Sequence, residues 1–519
     1  MARQQELSVS GMIIMLLVLL NAVLIREWYI HDSWHKWGMV LSLPLLLMAL
    51  YDRLQRKHAI IRNFPVIGHL RYFFEFIRPG LRQYFIESDT DGKPFTRRQR
   101  SLVYQRAKNE RETVAFGTLL DVEKNGYEWV AHSVFTNVNG VDANCRVTIG
   151  NHQCLQPYNA SILNIGVMSY GALSKTAITA LNEGAYIGHF AHNTGEGGIS
   201  ECHLRGGDLI WQIGTGYFGC RNQEGDFDPI AFRKNAIRPE VKMIELKISQ
   251  GAKPGHGGVL PASKNTKEIA AIRQVQPATT IHSPAGHTAF DTPEGLIKFL
   301  QLLRELSGGK PVGFKMCIGD KLEFISICDA MEETGIIPDF ICIDGAEGGT
   351  GAAPLEFTDY IGMPLYDALA FASKTLEARG LSKHIRIIAA GKIVSSFDIL
   401  KAMSLGASAC YSSRAMMMAL GCIQALTCDS GKCPTGVATQ NPALYKGLDP
   451  SDKKVRVANF HANTIRAVQQ MMQACGFGSL ADIRPSKFFR RISEQQVRSF
   501  EEIYGMEKQP KFSSSIPLN

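Results

Sequence analysis

Three cysteines stand close together in the stretch "LGCIQALTCDSGKCPTGVATQ", residues 420–440. Cys422, Cys428 and Cys433 follow a C-x5-C-x4-C pattern, and Pro434 comes directly after the third. Iron–sulfur clusters are held by cysteine thiolates that are often closely spaced, with a proline after the last ligand. Three thiolates suit a [3Fe–4S] cluster, or a [4Fe–4S] cluster that lacks one protein ligand. A structural zinc site with a fourth ligand elsewhere is the competing interpretation.

A glycine-rich loop could bind an anion. "DGAEGGTGAAP", residues 344–354, follows a short apolar run, and its glycines at 348, 349 and 351 allow backbone N–H groups to approach a ligand closely. The loop is neither a Walker loop nor a G-x-G-x-x-G fingerprint, and a structural turn explains its composition equally well. The stretches "AAGK", residues 389–392, and "YSSR", residues 411–414, are its natural partners in a phosphate site.

Charged side chains end other apolar runs. Lys247 ends the run "IELK", Lys253 follows in "GAKPGHGG", and Glu196 lies between glycines in "HNTGEGG". Such lysines could hold a carboxylate or phosphate as point charges, although a single lysine is by default solvated. Histidines 256, 282 and 287 share these loops. A zinc site there is not supported, because neither H-E-x-x-H nor paired C-x-x-C occurs.

The elements that must position these residues alternate between strand-like and helix-like runs from about residue 160. Strand candidates are "ILNIGVM", "AYIGHFA", "MIELKIS", "TTIHSP", "VGFKMCI", "DFICID", "IRIIAAG" and "ACYSS". Helix-like stretches such as "TPEGLIKFLQLLREL" follow most of them. About eight β/α units over roughly 260 residues predict a (β/α)8 TIM-type barrel, although an open sheet would show the same local pattern. Glycines and charges recur where the strands end, which is where barrel enzymes carry their active sites.

Two uncharged runs open the chain, residues 7–25 and 37–51, and four aromatic residues between and beside them suit a membrane interface. The segment 52–62 carries Arg53, Arg56, Lys57 and Arg62 against one acid. The positive-inside rule then predicts a two-helix transmembrane hairpin in the cell (inner) membrane, with both termini and the catalytic domain in the cytoplasm. A secretory signal peptide is the alternative, but no small-x-small cleavage site follows the first run.

Composition is that of a globular chain. Hydrophobic residues make up 45% and charged residues 20% of 519 residues, and the net charge of +8 does not demand a nucleic-acid partner. Nine of the twelve cysteines are scattered outside the loop, mostly in apolar runs, as is typical of buried reduced thiols in a reducing compartment. A disulfide with one spare thiol is therefore not expected in the loop.

The ordered occurrence of "GVMSYGALSKTAI", "NTGEGG", "ELKISQGAKPGHGG", "GGTGA" and "GC-x5-C-x4-CPTGVATQ" resembles the FMN-binding synthase domain of glutamate synthase over roughly residues 90–480. The resemblance implies a (β/α)8 barrel with FMN at the strand ends and a [3Fe–4S] cluster beside it. It also implies hydride transfer from reduced flavin to 2-iminoglutarate, which yields L-glutamate.

The resemblance implies roles for individual residues. Glu196 and Lys253 match catalytic positions, and Lys247, Lys253 and Arg273 match substrate-binding positions. Flavin-contacting positions match Met168, Ser169, Gln212 and Lys315, and the region that holds the ribityl phosphate matches Gly349, Thr350, Gly351, Gly391, Ser412 and Ser413. The cluster ligands match Cys422, Cys428 and Cys433.

Three departures from the family pattern bear on function. The glutaminase domain with its N-terminal nucleophilic cysteine is not found, so no glutamine hydrolysis is expected and ammonia would be free or come from a partner. His256 stands where the family commonly has an acid, and Val259 where it has a glutamine that helps to bind the oxoacid. The membrane hairpin suggests a membrane or tethered electron donor, such as ferredoxin or a separate NAD(P)H reductase.

These observations predict four segments. They are a transmembrane hairpin at 1–58, an extension packing on the barrel at 59–150, the FMN-binding barrel at 151–480 with its cluster loop at 420–440, and a tail at 481–519. The predicted activity is reduction of 2-iminoglutarate, formed from 2-oxoglutarate and ammonia, to L-glutamate. The alternatives are a flavin and iron–sulfur oxidoreductase for another oxo- or hydroxy-acid, and a non-catalytic electron-transfer or redox-sensing subunit of the membrane.

Overall fold

The structure, a computed structural model, describes residues 8–31, 34, 36–110, 113–136 and 145–506. The chain divides into two compact units, Met1–Pro94 and Phe95–Asn519. The division falls inside the segment predicted as an extension, and residues 95–110 belong to the same unit as the barrel. The four predicted segment boundaries stay predictions.

The N-terminal unit is helical. Its helices are α1 (Val9–His31), α2 (Lys36–Leu54), α3 (Ala59–Asn63) and α4 (Gly68–Leu81), and a π-helical turn, Arg82–Ile86, continues α4. Helices α1 and α2 have mean hydropathies of 2.3 and 1.3 and are long enough to cross a membrane by length and composition. They contact each other through buried polar groups, since Ser42 Oγ donates to Asn21 Oδ1 at 3.0 Å and Asn21 Nδ2 donates to the Ser42 carbonyl at 3.3 Å. Apart from Ser8, the described residues of both predicted apolar runs are helical, and α1 continues through the polar "REWYIH".

Within the described residues of the second unit, eight parallel strands form a closed barrel. They are β1 (Leu163–Ile165), β2 (His192–Asn193), β3 (Leu209–Ile213), β4 (Val241–Lys247), β5 (Val312–Met316), β6 (Phe340–Asp344), β7 (Arg386–Ala390) and β8 (Ala407–Ser412). Strand β8 closes on β1 with Cys410 opposite Leu163 and Tyr411 opposite Asn164. The predicted (β/α)8 fold class is thus confirmed.

The assignment of strands differs from the prediction in three places. "TTIHSP" is not a barrel strand, because Ile281–His282 pairs antiparallel with Val259–Leu260 in a small hairpin after β4. "AYIGHFA" mostly continues a helix to Gly188, and strand β2 begins only at His192. Strand β3, "LIWQI", is missing from the prediction although all five residues are buried. Local sequence does not show whether a short run such as "TTIHSP" or "LIWQI" belongs to the barrel, because that depends on the strands available to pair with it.

Helices pack around the barrel. Those following the strands are Lys175–Gly188, Pro229–Ala236, Lys267–Arg273, Pro293–Leu306, Lys321–Thr334, Leu355–Tyr360, Leu365–Ala378, Ser396–Ser404 and Arg414–Ala419, and the chain continues through Pro442–Tyr445, Pro450–Ala474 and Phe500–Tyr504. Polar caps set their starts, as where Ser174 Oγ accepts from Ala177 N at 3.2 Å.

Segments outside the β/α repeat close the barrel unit. Helix Arg97–Lys108 contacts Pro450–Ala474, where Asn463 Nδ2 donates to the Arg106 carbonyl at 2.9 Å. In the described residues, Glu128–Val130 pairs with Phe488–Arg491, which pairs with Val497–Ser499. Arg146–Ile149 pairs with Tyr158–Ser161. Because the barrel strands are parallel, their carboxyl ends share one rim, and most of the predicted site residues lie near the strand ends or in the loops that follow them.

Candidate functional site

A cleft opens at the carboxyl ends of the late strands and encloses about 570 Å³, part of it open to solvent. Strands β5 to β8 and the loops after them supply most of its walls, together with the loop after β1. Its lining residues are Phe95, Val167, Gln250, Lys315, Asp344, Gly348, Gly349, Ala390, Gly391, Lys392, Ile393, Tyr411, Ser413 and Arg414. Of the residues predicted to bind the cofactor, this cleft brings together Lys315, Gly349, Gly391 and Ser413.

The walls of this cleft carry positive charge. Lys315 makes an ion pair with Asp344, whose Oδ2 also accepts from Gly251 N at 2.9 Å. Arg414 lies over the Phe95 ring at 4.8 Å and donates to the Glu347 carbonyl at 2.8 Å. Burial lowers the pKa of Arg414 to about 10, so it stays protonated at neutral pH.

Glycines lie close to the cation where it packs on the loop. A Cβ on Gly349 would meet Arg414 Cδ and Nε at 2.8 Å, so a side chain here would displace the guanidinium. Gly391 has a φ of +144°, a backbone conformation that L residues rarely adopt. Two cations and close-packed glycine backbone form a surface suited to an anionic group such as a phosphate.

A second cluster surrounds Glu196. Lys247 Nζ lies 3.0 Å from Glu196 Oε1, and the two side chains are only 8% and 16% exposed. Lys253 and Arg273 are also buried, and Arg273 Nη2 donates to the Tyr170 carbonyl at 3.1 Å while its guanidinium lies over the Phe218 ring at 5.0 Å. The predicted catalytic and substrate residues therefore form one group, although they are scattered along the chain.

The surrounding cations keep Glu196 ionised. Burial would raise the pKa of Glu196, but Lys247, and after it Arg273 and Lys253, lower the pKa below its ordinary value. Burial lowers the pKa of Lys253, the charge of Lys247 adds to this, and Glu196 partly offsets it. Burial also lowers the pKa of Arg273 to about 10. One carboxylate thus faces three cations, which leaves positive charge for an anionic ligand.

Two glycines leave room for the carboxylate. A Cβ on Gly214 would meet Glu196 Oε2 at 2.5 Å, and a Cβ on Gly258 would collide with Glu196 Oε1. Neither loop could carry a side chain here without moving the acid.

A smaller cleft adjoins this cluster and meets the first. Its lining residues are Thr215, Lys247, Ile248, Ser249, Gln250, Gly255, His256, Gly257, Gly258, Pro284 and Ala285. Gln250 lines both clefts, so the cationic cleft and the Glu196 cluster border the same residue. This arrangement can hold an anionic cofactor beside an anionic substrate.

A buried acid lies inside the barrel below the rim. Glu245 Oε1 accepts from Gln212 Nε2 at 2.7 Å and from Asn193 Nδ2 at 2.8 Å. Burial raises the pKa of Glu245, and the charge of Lys315 is the largest opposing influence. Within the described part of the chain, the buried Gln212 Oε1 has no hydrogen-bond partner, which leaves an acceptor for a ligand N–H group. The sequence analysis did not find Glu245, because an acid in an apolar strand gives no spacing signal.

Several predicted cofactor residues do not line the main cleft. Met168 is buried, and Ser169 Oγ accepts from Arg273 Nη2 at 3.4 Å, which ties the loop after β1 to the Glu196 cluster. The Ser412 hydroxyl donates to the Ile393 carbonyl at 2.7 Å. Thr350 and Gly351 follow the lining glycines in the same loop. Conversely, Arg414 lines the cleft and was not among the predicted site residues, although "YSSR" pointed to its loop.

The three loop cysteines differ in their pKa values, which depend on burial, on hydrogen bonds and on the neighbouring thiols. The pKa of Cys422 is raised to about 11, mainly by burial and to a smaller extent by the neighbouring Cys428 and Cys433. Burial would raise the pKa of Cys433 as well, but hydrogen bonds from Thr435 and from backbone N–H groups of the same turn lower it below its ordinary value. A sulfur that receives several hydrogen bonds is stabilised as the thiolate that an iron–sulfur cluster binds.

Lys264 lies beneath this loop and has no counterpart in the sequence prediction. It is 3% exposed, and its ammonium donates to three carbonyls, those of Ala172 at 3.3 Å, Ala438 at 3.1 Å and Cys428. These bonds join the loop after β1 to the middle and to the C-terminal part of the cysteine loop. A lone lysine between a serine and an asparagine carries no local signal for such a role.

The loop histidines have separate partners. His287 Nδ1 and Nε2 lie 3.0 Å from Tyr217 Oη and 2.9 Å from the Lys247 carbonyl, His256 Nδ1 lies 2.9 Å from the Gly257 carbonyl, and His282 is exposed. In the residues that the structure describes, no three His, Cys, Asp or Glu side chains are grouped as a single metal ion requires. Ligands of a multi-iron cluster stand further apart, because each binds a different iron.

A closed parallel barrel with a cationic cleft and a buried acid at its carboxyl rim defines the class of (β/α)8-barrel enzymes. Residues 130–478 match the family model of the conserved region in glutamate synthase. The chain belongs to the glutamate synthase family and thus to the oxidoreductases that act on CH–NH2 donors.

Named relatives agree with this membership. The chain is 35% identical over 484 residues to the glutamate synthase large subunit-like protein YerD of Bacillus subtilis, covering 85% of this chain and 92% of that protein. It is 37% identical over 330 residues to the archaeal glutamate synthase [NADPH] of Methanocaldococcus jannaschii, covering 62% of this chain and 60% of that protein. A crystal structure of a mandelate oxidase variant matches with a TM-score of 0.43 and 15% identity over 72% of this chain and 88% of that one, a likeness too weak for any argument.

Proposed function

We propose that this protein is a membrane-anchored oxidoreductase of the glutamate synthase type, which reduces 2-iminoglutarate, formed from 2-oxoglutarate and ammonia, to L-glutamate. The observation that carries the proposal is the buried Glu196 carboxylate among Lys247, Lys253 and Arg273, next to a cationic cleft at the same barrel rim. A dicarboxylate substrate needs several cations, and a carboxylate near its reacting carbon can hold the nitrogen.

FMN suits the larger cleft. Arg414, Lys315 and the amides of the Gly349 loop would hold its phosphate, and Gln212 Oε1 offers an acceptor for a ring N–H group. When bound, FMN supplies the hydride that reduces the imine carbon.

The chain's own residues bind and orient the substrate. Lys253 and Arg273 would bind its carboxylates, and Lys247 would share its charge between Glu196 and the substrate. Because the surrounding cations keep Glu196 ionised, it accepts a hydrogen bond from ammonium or from the protonated imine nitrogen better than it donates a proton. The glycines at 214 and 258 leave that carboxylate room beside the smaller cleft.

An iron–sulfur cluster suits the cysteine loop. Cys422, Cys428 and Cys433 would hold a [3Fe–4S] cluster, or a [4Fe–4S] cluster with one open position, and the hydrogen bonds to Cys433 favour its thiolate form. When bound, such a cluster would supply electron transfer between the flavin and a donor such as ferredoxin or a separate NAD(P)H reductase.

Helices α1 and α2 would anchor the protein in the cell (inner) membrane through residues 7–51, with the barrel in the cytoplasm. Their length and hydropathy support this placement, and so do the basic residues that follow α2. Retention of the full-length protein in membranes after a carbonate wash tests the anchor, and complete release would contradict it.

The activity is tested on anaerobically purified full-length protein. Absorbance and EPR spectra should show flavin and an iron–sulfur cluster, and a chemically reduced donor should support glutamate formation that depends on both 2-oxoglutarate and ammonia. Glu196→Gln should keep both cofactors and lose turnover. Glu294→Gln, at an exposed ion pair, should change neither the cofactor content nor the turnover. Colourless protein without flavin or iron would refute the proposal.

A second candidate is reduction or oxidation of a different oxo- or hydroxy-acid. It rests on His256, which lines the smaller cleft beside Lys247, and on Val259, which lies in the hairpin strand opposite His282. If the protein binds flavin but does not turn over 2-oxoglutarate, Val259→Gln should improve binding of that acid. No improvement would count against this candidate.

A further inference from the structure

Helix α4 and the π-helical turn after it expose a continuous apolar face. Residues 70, 73, 74, 77 and 81 recur at the spacing of one helix face, and the turn extends it with residues 84 and 85. These side chains are Leu70, Phe73, Phe74, Ile77, Leu81, Tyr84 and Phe85. Phe73 and Phe74 are 54% and 57% exposed and Phe85 is 81% exposed, so the described residues leave this face largely uncovered. Exposed aromatic patches of this kind mark an interaction surface.

A basic stripe runs beside the apolar face. Arg71, Glu75, Arg78 and Arg82 recur four, three and four residues apart, so they lie in one row along the helix. Arg71 stands 3.7 Å from Glu75, and Arg82 stands 3.8 Å from Glu87, yet both arginines remain more than half exposed. The row therefore presents net positive charge to solvent.

The start of α4 is tied to the end of α2. Asp52, buried two residues before α2 ends, accepts from Val66 N at 2.9 Å and pairs with His69 Nε2 at 2.9 Å. Helix α3 packs closely at the same point, because a Cβ on Gly68 would stand 2.9 Å from Ile61 Cα. If α2 crosses the membrane, α4 begins at the level of its cytoplasmic end.

We propose that α4 and the turn Arg82–Ile86 lie in the membrane interface, with the apolar face among the acyl chains and the arginine row on anionic lipid headgroups. This inference rests on the proposed membrane anchor. An amphipathic helix with aromatic and basic faces has the composition of an interfacial helix, and anionic lipids complement its charge. Continuity with α2 favours lipid over a separate protein partner, because the face starts where the spanning helix ends.

The test uses the full-length protein in lipid nanodiscs. A photo-crosslinking phenylalanine analogue replaces either Phe73 on the apolar face or, as the matched control two residues on, Glu75 on the basic row. We expect the yield of lipid adducts to be at least about fivefold higher from position 73 than from position 75. Adding phosphatidylglycerol to phosphatidylcholine discs should raise the yield from position 73.

The arginine row provides the second arm. The triple variant Arg71→Gln, Arg78→Gln, Arg82→Gln should bring the yield at position 73 in phosphatidylglycerol discs down to that in neutral discs. Equal yields at positions 73 and 75, or adducts to protein rather than lipid, would overturn the inference. The same holds if the yield at position 73 is equal in phosphatidylglycerol discs and in neutral discs. A carbonate wash separates the two proposals, since release contradicts the anchor, and retention without adducts at position 73 contradicts only the interfacial helix.

Discussion

Removing Lys247 should leave Glu196 as an incompletely paired buried charge. Loss of one partner of a buried ion pair destabilises a fold by about 3–5 kcal/mol, because the other charge stays desolvated. Here Arg273 and Lys253 still face Glu196, so we expect Lys247→Met to destabilise the barrel unit by about 2–3 kcal/mol. With an unfolding entropy of about 2 cal/mol/K per residue, a unit of this size loses about 1 °C of Tm per kcal/mol, or about 2–3 °C here.

The loss should depend on pH. In the parent protein the pKa of Glu196 is lowered, so its ionised form stabilises the fold above the unfolded pKa, and that contribution disappears as the pH falls through the folded pKa. In Lys247→Met the largest influence that lowers the pKa of Glu196 is gone. Burial is then opposed only by Arg273 and Lys253, so the pKa of Glu196 rises. Protonation then relieves the unpaired charge, and the Tm difference between parent and variant should be larger at pH 8 than at pH 5.

Thermal melts followed by circular dichroism measure this, and two controls isolate the cause. Adding Glu196→Gln to Lys247→Met removes the buried charge and should recover most of the lost Tm at pH 8. Lys298→Met breaks a pair with Glu294 that is shorter, at 2.6 Å, but about 60% exposed, and should change Tm by less than about 0.5 °C. The reasoning fails if Lys247→Met costs no more than Lys298→Met, or if its effect is the same at both pH values.

Three further substitutions probe the rest of the site. Gly258→Ala should abolish turnover while flavin absorbance remains, because its methyl group collides with Glu196. Gly286→Ala, whose Cβ meets nothing within 4 Å, should be active, and equal activities of the two variants would contradict the packing argument. Arg414→Gln should weaken FMN binding about tenfold to a hundredfold by loss of a charge-assisted hydrogen bond, seen as flavin fluorescence released on dilution, and unchanged retention would exclude Arg414 from the phosphate site. Lys264→Met should lower both iron content and Tm, since three carbonyls lose their donor, and parental values for both would show that the lysine is dispensable.

The sequence alone predicted the features that short-range patterns encode. Apolar runs alternating with helical stretches led to the (β/α)8 barrel, which the closed sheet confirms. Strand by strand the prediction was less accurate: "TTIHSP" forms a hairpin with Val259–Leu260, and the barrel strand "LIWQI" went unrecognised. Whether a short apolar run joins a barrel depends on the strands available to pair with it, and these are distant in the sequence.

Local chemistry was readable for the same reason. The C-x5-C-x4-C spacing and the glycine loops hold their residues within a few positions, so the residue types and spacing already limit the possible ligands. The alternation of apolar and basic residues in α4 is equally local. The inference that this helix lies at the membrane interface required the contacts of Asp52, which hold the start of α4 beside the end of α2.

Only the tertiary structure decided how the charges meet. Glu196 follows β2, Lys247 and Lys253 lie at and after the end of β4, and Arg273 ends the helix Lys267–Arg273. Barrel closure brings these charges together because parallel strands end at one rim. Lys264 beneath the cysteine loop likewise depends on contacts with two segments far along the chain. Sequence patterns report the conformation that neighbouring residues favour, whereas the ionisation and partners of a buried charge are set by groups that folding alone brings near.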